Sequence, residues 1–81
     1  MTMTNETRSL RAIAGEIMRD WTKPYFGAVP YLHAMRGLDK MTDFYGLDPG
    51  DEIVMYFLAN AGTWRGPVAR SIKAELKAMI R

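Results

Sequence analysis

The fold is decided by residues 48–60, which read DPGDEIVMYFLAN. Asp48 is a favoured N-cap residue, and Pro49 suits the first position of a helix because its missing N–H is not needed there. The apolar run from Ile53 to Ala59 would also suit a strand, but helix-start residues precede it and the sequence offers no second strand to pair with it. We therefore predict a helix over residues 49–60.

This predicted helix carries apolar side chains on nearly every side after its first turn. Such a helix belongs at the centre of a domain, where other helices cover it. A chain of 81 residues buries only about 60 to 65% of the surface of its unfolded form. One copy therefore has few other helices with which to cover this helix. The sequence therefore leaves both a monomer and a homodimer open.

Apolar residues recur at three- and four-residue steps in three further segments, residues 6–21, 30–45 and 67–80. Each segment is predicted to form an amphipathic helix. Thr4 or Asn5 can cap the first helix, and a proline stands at the first position of each of the other two. The predicted fold class is therefore all-α, a compact bundle of four helices joined by short loops.

The second of these helices has two candidate ends. Gly46 stands where a left-handed C-cap is wanted, and Leu47 can make the hydrophobic contact of a Schellman ending. Gly37 lies in the helix interior, where glycine costs about 1 kcal/mol relative to alanine. A break at Thr42 is the alternative, so the continuity of this helix through Gly37 and Thr42 is open from the sequence alone.

The chain has no cysteine and one histidine, His33. The missing cysteines exclude disulfides, thiolate zinc sites, iron–sulfur clusters and a cysteine nucleophile. His33 has no serine close to it in sequence and is interpreted as a partly exposed helix residue. Asp39 and Asp43 could share a divalent ion, but their spacing is equally typical of a polar helix face. We expect no catalytic residue, no metal, no cofactor and no enzymatic activity.

A single helical domain is predicted over residues 1–81. Charged residues near the start interrupt any signal peptide, and the longest apolar run has seven residues, whereas a membrane span needs about 20. We therefore expect a cytoplasmic protein that engages no membrane.

The last quarter of the chain is basic, since residues 63–81 carry five cations against one acid, Glu75, a net charge of +4. Four of these cations fall within about 80° of one another on the predicted last helix, opposite its apolar stripe. They are Arg70, Lys73, Lys77 and Arg81. With Arg65 at its start, this edge suits a phosphate backbone or an acidic protein surface. It is also typical of a solvated face whose cations favour the helix C-terminus.

Three aromatic residues outside the periodic stripes are candidate contacts. Trp64 lies in a turn beside Arg65, and it either plugs the end of the bundle or anchors an interface, since Trp and Arg dominate interface hot spots. Tyr25 and Phe26 lie in the predicted loop over residues 22–29. Apolar loop residues usually pack back onto the core, and exposure toward a partner is the alternative.

Several short stretches carry a family resemblance. They are residues 56–61 (YFLANA), 63–66 (TWRG), 69–70 (AR) and 72–76 (IKAEL). Together they resemble a family of small uncharacterised proteins from phages and mobile elements of Gram-positive bacteria, and the likeness runs from Ile13 onward. The resemblance implies a protein of a phage or mobile element in a bacterial host, where proteins of this size often bind and redirect a host protein or nucleic acid. It implies no activity and no catalytic residue.

These observations predict a non-enzymatic binding module. The first hypothesis is a protein-interaction or regulatory role toward a host factor, with Trp64 and Arg65 as the anchor. The alternative is a nucleic-acid-binding protein that contacts phosphates with the basic face of its last helix. A helix-turn-helix made by the last two helices fits loosely, because the linker over residues 61–66 exceeds the usual turn of about three or four residues.

Overall fold

Four α-helices and one short hairpin make up residues 8–80, the part of the chain that the computed structural model describes. In chain order they are α1 (Leu10–Asp20), α2 (Val29–Met35, entered through a 3₁₀ turn at Phe26–Ala28), β1 (Phe44–Tyr45), β2 (Asp48–Pro49), α3 (Gly50–Ala59) and α4 (Pro67–Met79). The chain is therefore predominantly helical, with four helices as predicted. The all-α class is wrong in one respect, because residues 44–49 form a small antiparallel sheet.

One apolar core joins the four helices. α1 packs against α2 and α4, and α3 packs mainly against α2. The largest fully buried side chains come from every helix: Phe57, Leu10, Ile13, Ile17, Leu32, Met35, Ile72, Leu76 and Val54. The apolar stripes predicted for α1 and α4 thus face this core.

The bundle has two distinct ends. Gly27, just before α2, approaches the side chain of Asn60, just after α3, so the start of α2 lies beside the end of α3. Residues 21–28 and 60–66 therefore meet at one end, which we call the loop end. Residues 36–49 lie at the other end, which we call the hairpin end, because they connect the end of α2 to the start of α3.

α1 begins later than the predicted range of 6–21. Ser9 is its N-cap, and the Ser9 Oγ accepts a hydrogen bond from the backbone N–H of Ala12 at 3.0 Å. The predicted caps Thr4 and Asn5 lie outside the described residues. Serine at this position satisfies one of the free N–H groups of the first turn, which explains why the helix starts directly after it.

Residues 38–43 cap two helices with their backbone. The first two N–H groups of α1 donate to the carbonyl oxygens of Asp39 and Leu38, both at 2.9 Å. The first two N–H groups of α3 donate to the carbonyl oxygens of Asp43 and Met41, at 2.7 and 3.1 Å. These carbonyls are free to accept only because this segment is not itself helical.

The predicted second helix over residues 30–45 is therefore wrong beyond Met35. The N–H of Gly37 donates to the carbonyl of Ala34 at 3.0 Å, a three-residue step that tightens the end of α2. The chain leaves the helix well before Thr42, where the alternative placed the break. The hydrogen bonds by which residues 38–43 cap α1 and α3 outweigh the apolar periodicity that continues past Met35.

Gly46 lies in the turn of the hairpin and does not end a helix. Its φ of 66° places it in the left-handed region, at the tip of a two-residue turn between Tyr45 and Asp48. Leu47 is 95% exposed, so it makes no Schellman contact. Asp48, the predicted N-cap of the helix over 49–60, lies in β2, and the N-cap of α3 is Pro49.

α3 is covered on one side only. Ile53, Val54 and Phe57 are buried, whereas Met55 and Tyr56 are about half exposed. One copy of the chain therefore does not cover every apolar side of this helix, a question that the sequence left open. With only α2 and part of α4 against it, a helix in so short a chain keeps one apolar face open.

Candidate functional site

Trp64 belongs to the core at the loop end. Its side chain is 2% exposed, and its Nε1–H donates to Oδ2 of Asp20 at 2.8 Å. Its ring stacks on Trp21 with 5.7 Å between centroids and 11° between planes, and it meets the edge of Phe57 at 6.3 Å. This position agrees with the interpretation of Trp64 as a plug of the bundle end. A side chain that is 2% exposed offers almost no indole surface to a partner.

The residues around Trp64 form a basic cleft. A depression of about 220 Å³ lies between the turn over residues 62–66 and the first turns of α4. It is lined by Gly62, Trp64, Arg65, Gly66, Ala69, Arg70 and Lys73. Of the cations predicted from the sequence, Arg65, Arg70 and Lys73 are therefore brought together at one concave surface, which we call the basic cleft.

The rest of the predicted basic edge extends from this cleft along α4. Lys77 is exposed one turn beyond Lys73. Arg81 lies outside the described residues. The opposite face of α4 is buried in the core through Ala69, Ile72 and Leu76. α4 thus presents its cations to solvent while its apolar face holds it in place.

Lys73 is held over Trp64 at the back of the cleft. Its Nζ donates to the carbonyl oxygen of Trp64 at 2.7 Å and lies 5.8 Å from the centroid of the indole ring. Partial burial lowers the pKa of Lys73, and the positive charges of Arg65 and Lys77 lower it further. The cleft is therefore a place where positive charge is crowded and an anion would relieve the repulsion.

The acidic residue of α4 is turned away from the cleft. Glu75 accepts two hydrogen bonds from Arg8, at 2.9 and 2.6 Å, and Arg8 also donates to Glu16 at 2.7 Å. The Glu75 and Glu16 carboxylates raise the pKa of Arg8. Within residues 8–80, ion pairs form at Arg8 and Arg11, and none involves a cation of the basic cleft. Among residues 8–80, no carboxylate therefore neutralises the positive charge of the cleft.

Tyr25 and Phe26 are exposed at the same end of the molecule. They are 45% and 79% exposed, with ring centroids 4.8 Å apart and planes tilted by 53°. The interpretation that they pack back onto the core is therefore wrong. The Tyr25 ring lies against the backbone of Gly27, since a Cβ at this position would be 2.6 Å from that ring and 2.8 Å from Oδ1 of Asn60.

Sequence reasoning missed a second group of exposed aromatic residues, at the hairpin end and on α3. Phe44 and Tyr45 are exposed on β1. On α3, the ring of Tyr56 stacks on Tyr31 of α2 at 5.6 Å. Gly46 was the available sign of a turn at this place, but the helical period of the preceding residues led to its assignment as a helix C-cap.

The polar residues considered for catalysis or metal binding have structural roles or lie apart. Asp39 pairs with Arg11 at 3.2 Å, and Asp43 accepts the backbone N–H groups of Asp39 and Lys40 at 3.1 and 3.0 Å. These backbone donors, Lys40 first, lower the pKa of Asp43. His33 is exposed on α2. In the described part of the chain, no three His, Asp or Glu residues gather in a way that could hold a metal ion.

Comparisons with protein-family models, with curated proteins and with solved structures gave no match to this chain. The site is therefore judged on its own geometry. From residue 8 to residue 80, no helix has the length and apolar character needed to cross a bilayer.

Proposed function

We propose that this chain is a non-enzymatic binding domain that holds the phosphate groups of a nucleic acid in the basic cleft. Arg65 and Arg70 would contact phosphates from the two sides of the cleft, Lys73 from its back, and Lys77 further along α4. The family resemblance adds the setting of a phage or mobile element in a bacterial host.

A single observation carries this proposal. Three cations line one concave surface, and the one acidic side chain of α4 is bound elsewhere by Arg8. A solvated face that merely favours the helix C-terminus would carry its cations in the last turn, whereas Arg65 and Arg70 lie before and within the first turns. Arginine in particular suits phosphate, because its planar donors can bind two oxygens at once.

The proposed test is binding of a fluorescein-labelled 20-nucleotide DNA, measured by anisotropy between 50 and 200 mM salt. Release of counterions from three or four phosphates predicts about a 20- to 150-fold loss of affinity over that range. Reversing two charges in Arg65→Glu with Arg70→Glu should abolish binding.

A matched control separates the cleft from net charge alone. Arg36→Glu with Lys40→Glu makes the same change of charge at exposed positions of the hairpin end. If the two double variants weaken binding equally, the attraction is to the charge of the whole molecule, and the cleft has no special role. Retained binding in the control with loss in the cleft variant supports the proposal.

A host protein is the second candidate partner. The exposed aromatic pair Tyr25 and Phe26 favours it, because exposed aromatic side chains are common at the centre of interfaces. Its proposed anchor, Trp64, is buried, which is why this candidate comes second. It predicts no binding to any nucleic acid at 50 mM salt, and capture of a host protein that is lost in Tyr25→Ala with Phe26→Ala.

A further inference from the structure

We propose that the ligand of the basic cleft is a single-stranded nucleic acid, with its phosphates on the cleft cations and its bases stacked on Tyr25 and Phe26. This inference rests on the proposed function and adds to it the form of the nucleic acid. The observation behind it is that the cleft and the exposed aromatic pair belong to two neighbouring loops at one end of the molecule.

Contacts between the two loops establish that they are neighbours. Gly27 of the first loop approaches Asn60, where the second loop begins. Trp21, which opens the first loop, stacks on Trp64 of the second loop. Arg65 follows Trp64 directly, so the start of the basic cleft lies on the segment that packs against the loop carrying the aromatic pair.

The exposure of the aromatic pair is built into the local backbone. The 3₁₀ turn at Phe26–Ala28 buries Ala28 in the core and leaves Phe26 on the outside. Gly27 packs closely against the Tyr25 ring and the side chain of Asn60, so a side chain at position 27 would force these groups to shift. Tyr25 and Phe26 together expose an apolar surface that a ligand with an apolar face would cover.

Unpaired bases supply such a face, and paired bases do not. Every base has a flat π-surface that stacks on aromatic side chains, but within a duplex these surfaces are already stacked on their neighbours. A protein partner could cover the aromatic pair as well, yet the cleft at the same end of the molecule is positively charged and lacks ion pairs within the described residues. Lys23, exposed in the same loop as the pair, adds a further cation on that side. Cations next to exposed aromatic rings are the combination that proteins use to bind single strands.

The experiment compares three labelled probes of one sequence at one salt concentration: a 20-nucleotide single-stranded DNA, the matching RNA, and the DNA duplex. The native chain should bind one or both single strands at least about five-fold more tightly than the duplex, since stacking one base contributes about 5- to 150-fold in affinity. Phe26→Ala should reduce this preference, since only Tyr25 of the pair then remains for stacking. It should leave the duplex affinity unchanged and keep the salt dependence of binding, because the phosphate contacts remain.

Phe44→Ala is the matched control, since it removes an exposed aromatic ring at the hairpin end, and it should change none of the affinities. Circular dichroism checks that both variants stay folded. Equal affinity for single strand and duplex, with no effect of Phe26→Ala but loss of binding in the cleft variant, would overturn this inference and leave the proposed function standing. Failure of all three probes to bind at 50 mM salt would overturn both.

Discussion

Truncation of Trp64 to alanine should cost a large part of the free energy of unfolding. The side chain is 2% exposed, stacks on Trp21 and meets Phe57, so its removal leaves a cavity between α1, α3 and α4. Replacing a buried Trp or Phe by Ala costs about 3 to 5 kcal/mol. A domain of 81 residues has a free energy of unfolding of only about 4 to 12 kcal/mol in total. Trp64→Ala should therefore lose between about a quarter and all of the free energy of unfolding.

Urea unfolding followed by circular dichroism at 222 nm measures this loss. With a slope of about 1.5 kcal/mol per molar urea, the midpoint should fall by about 2 to 3 M, or the variant should be unfolded without urea. Trp64→Phe keeps a ring but loses the hydrogen bond to Asp20, and should lose less. Phe26→Ala, at an exposed position, should stay within about 0.5 kcal/mol of the native chain. A midpoint shift below 0.5 M for Trp64→Ala would refute the assignment of Trp64 to the core.

Three further perturbations test other parts of the account. Gly50→Ala should destabilise the fold by about 1 to 3 kcal/mol in urea unfolding, because its Cβ would lie 2.9 Å from two backbone carbonyl oxygens of the preceding loop. Gly62→Ala is the control and should be neutral, because the space around Gly62 is open. Equal effects of the two substitutions would count against close packing at Gly50. The lowered pKa of Asp43 contributes stability that is present above the ordinary carboxyl pKa and lost as the pH falls through the lowered one. Asp43→Asn should therefore flatten the acid side of a plot of Tm against pH, and an unchanged slope there would contradict the turn-capping role. The pKa of Lys73 is lowered by burial and then by neighbouring cations, so Lys73 should lose its charge at a lower pH than a free lysine would. The affinity for DNA should then fall in part, because Arg65 and Arg70 stay charged. Lys73→Arg should remove this pH dependence, and its persistence would point to another group.

The helices with local start residues were predictable from the sequence. α4 begins at Pro67 and ends at Met79, within one residue of the predicted 67–80, and α3 lies within one residue of 49–60 at both ends. A proline with its fixed φ marks each start: Pro49 directly precedes α3, and Pro67 is the first residue of α4. The residues that determine the boundaries of α3 and α4 lie within or directly beside each helix.

The end of α2 was not predictable in the same way. Residues 38–43 are not helical, because carbonyls of this segment accept hydrogen bonds from the first turns of α1 and α3. Those donors are distant in sequence, so the apolar period of residues 30–45 gives no sign of them. Tertiary capping outweighed local periodicity here.

The candidate site likewise contains features that local sequence predicts and features that depend on contacts distant in sequence. The positive edge of α4 follows from helical spacing alone, and the cleft cations Arg65, Arg70 and Lys73 were all among the predicted residues. The burial of Trp64 depends on its stacking against Trp21, and the exposure of Phe26 depends on the 3₁₀ turn that buries Ala28. A periodic pattern of apolar residues predicts neither feature.

The most direct test of the basic cleft is to titrate a ten-nucleotide single-stranded DNA into the ¹⁵N-labelled chain and follow the backbone amide resonances. The account predicts that the largest shifts fall on residues 62–73, with further shifts at Tyr25 and Phe26, and that the hairpin over residues 44–49 stays unchanged. Shifts concentrated on the hairpin end, or no shift at low salt with the oligonucleotide in excess, would contradict the claim that this cleft binds nucleic acid.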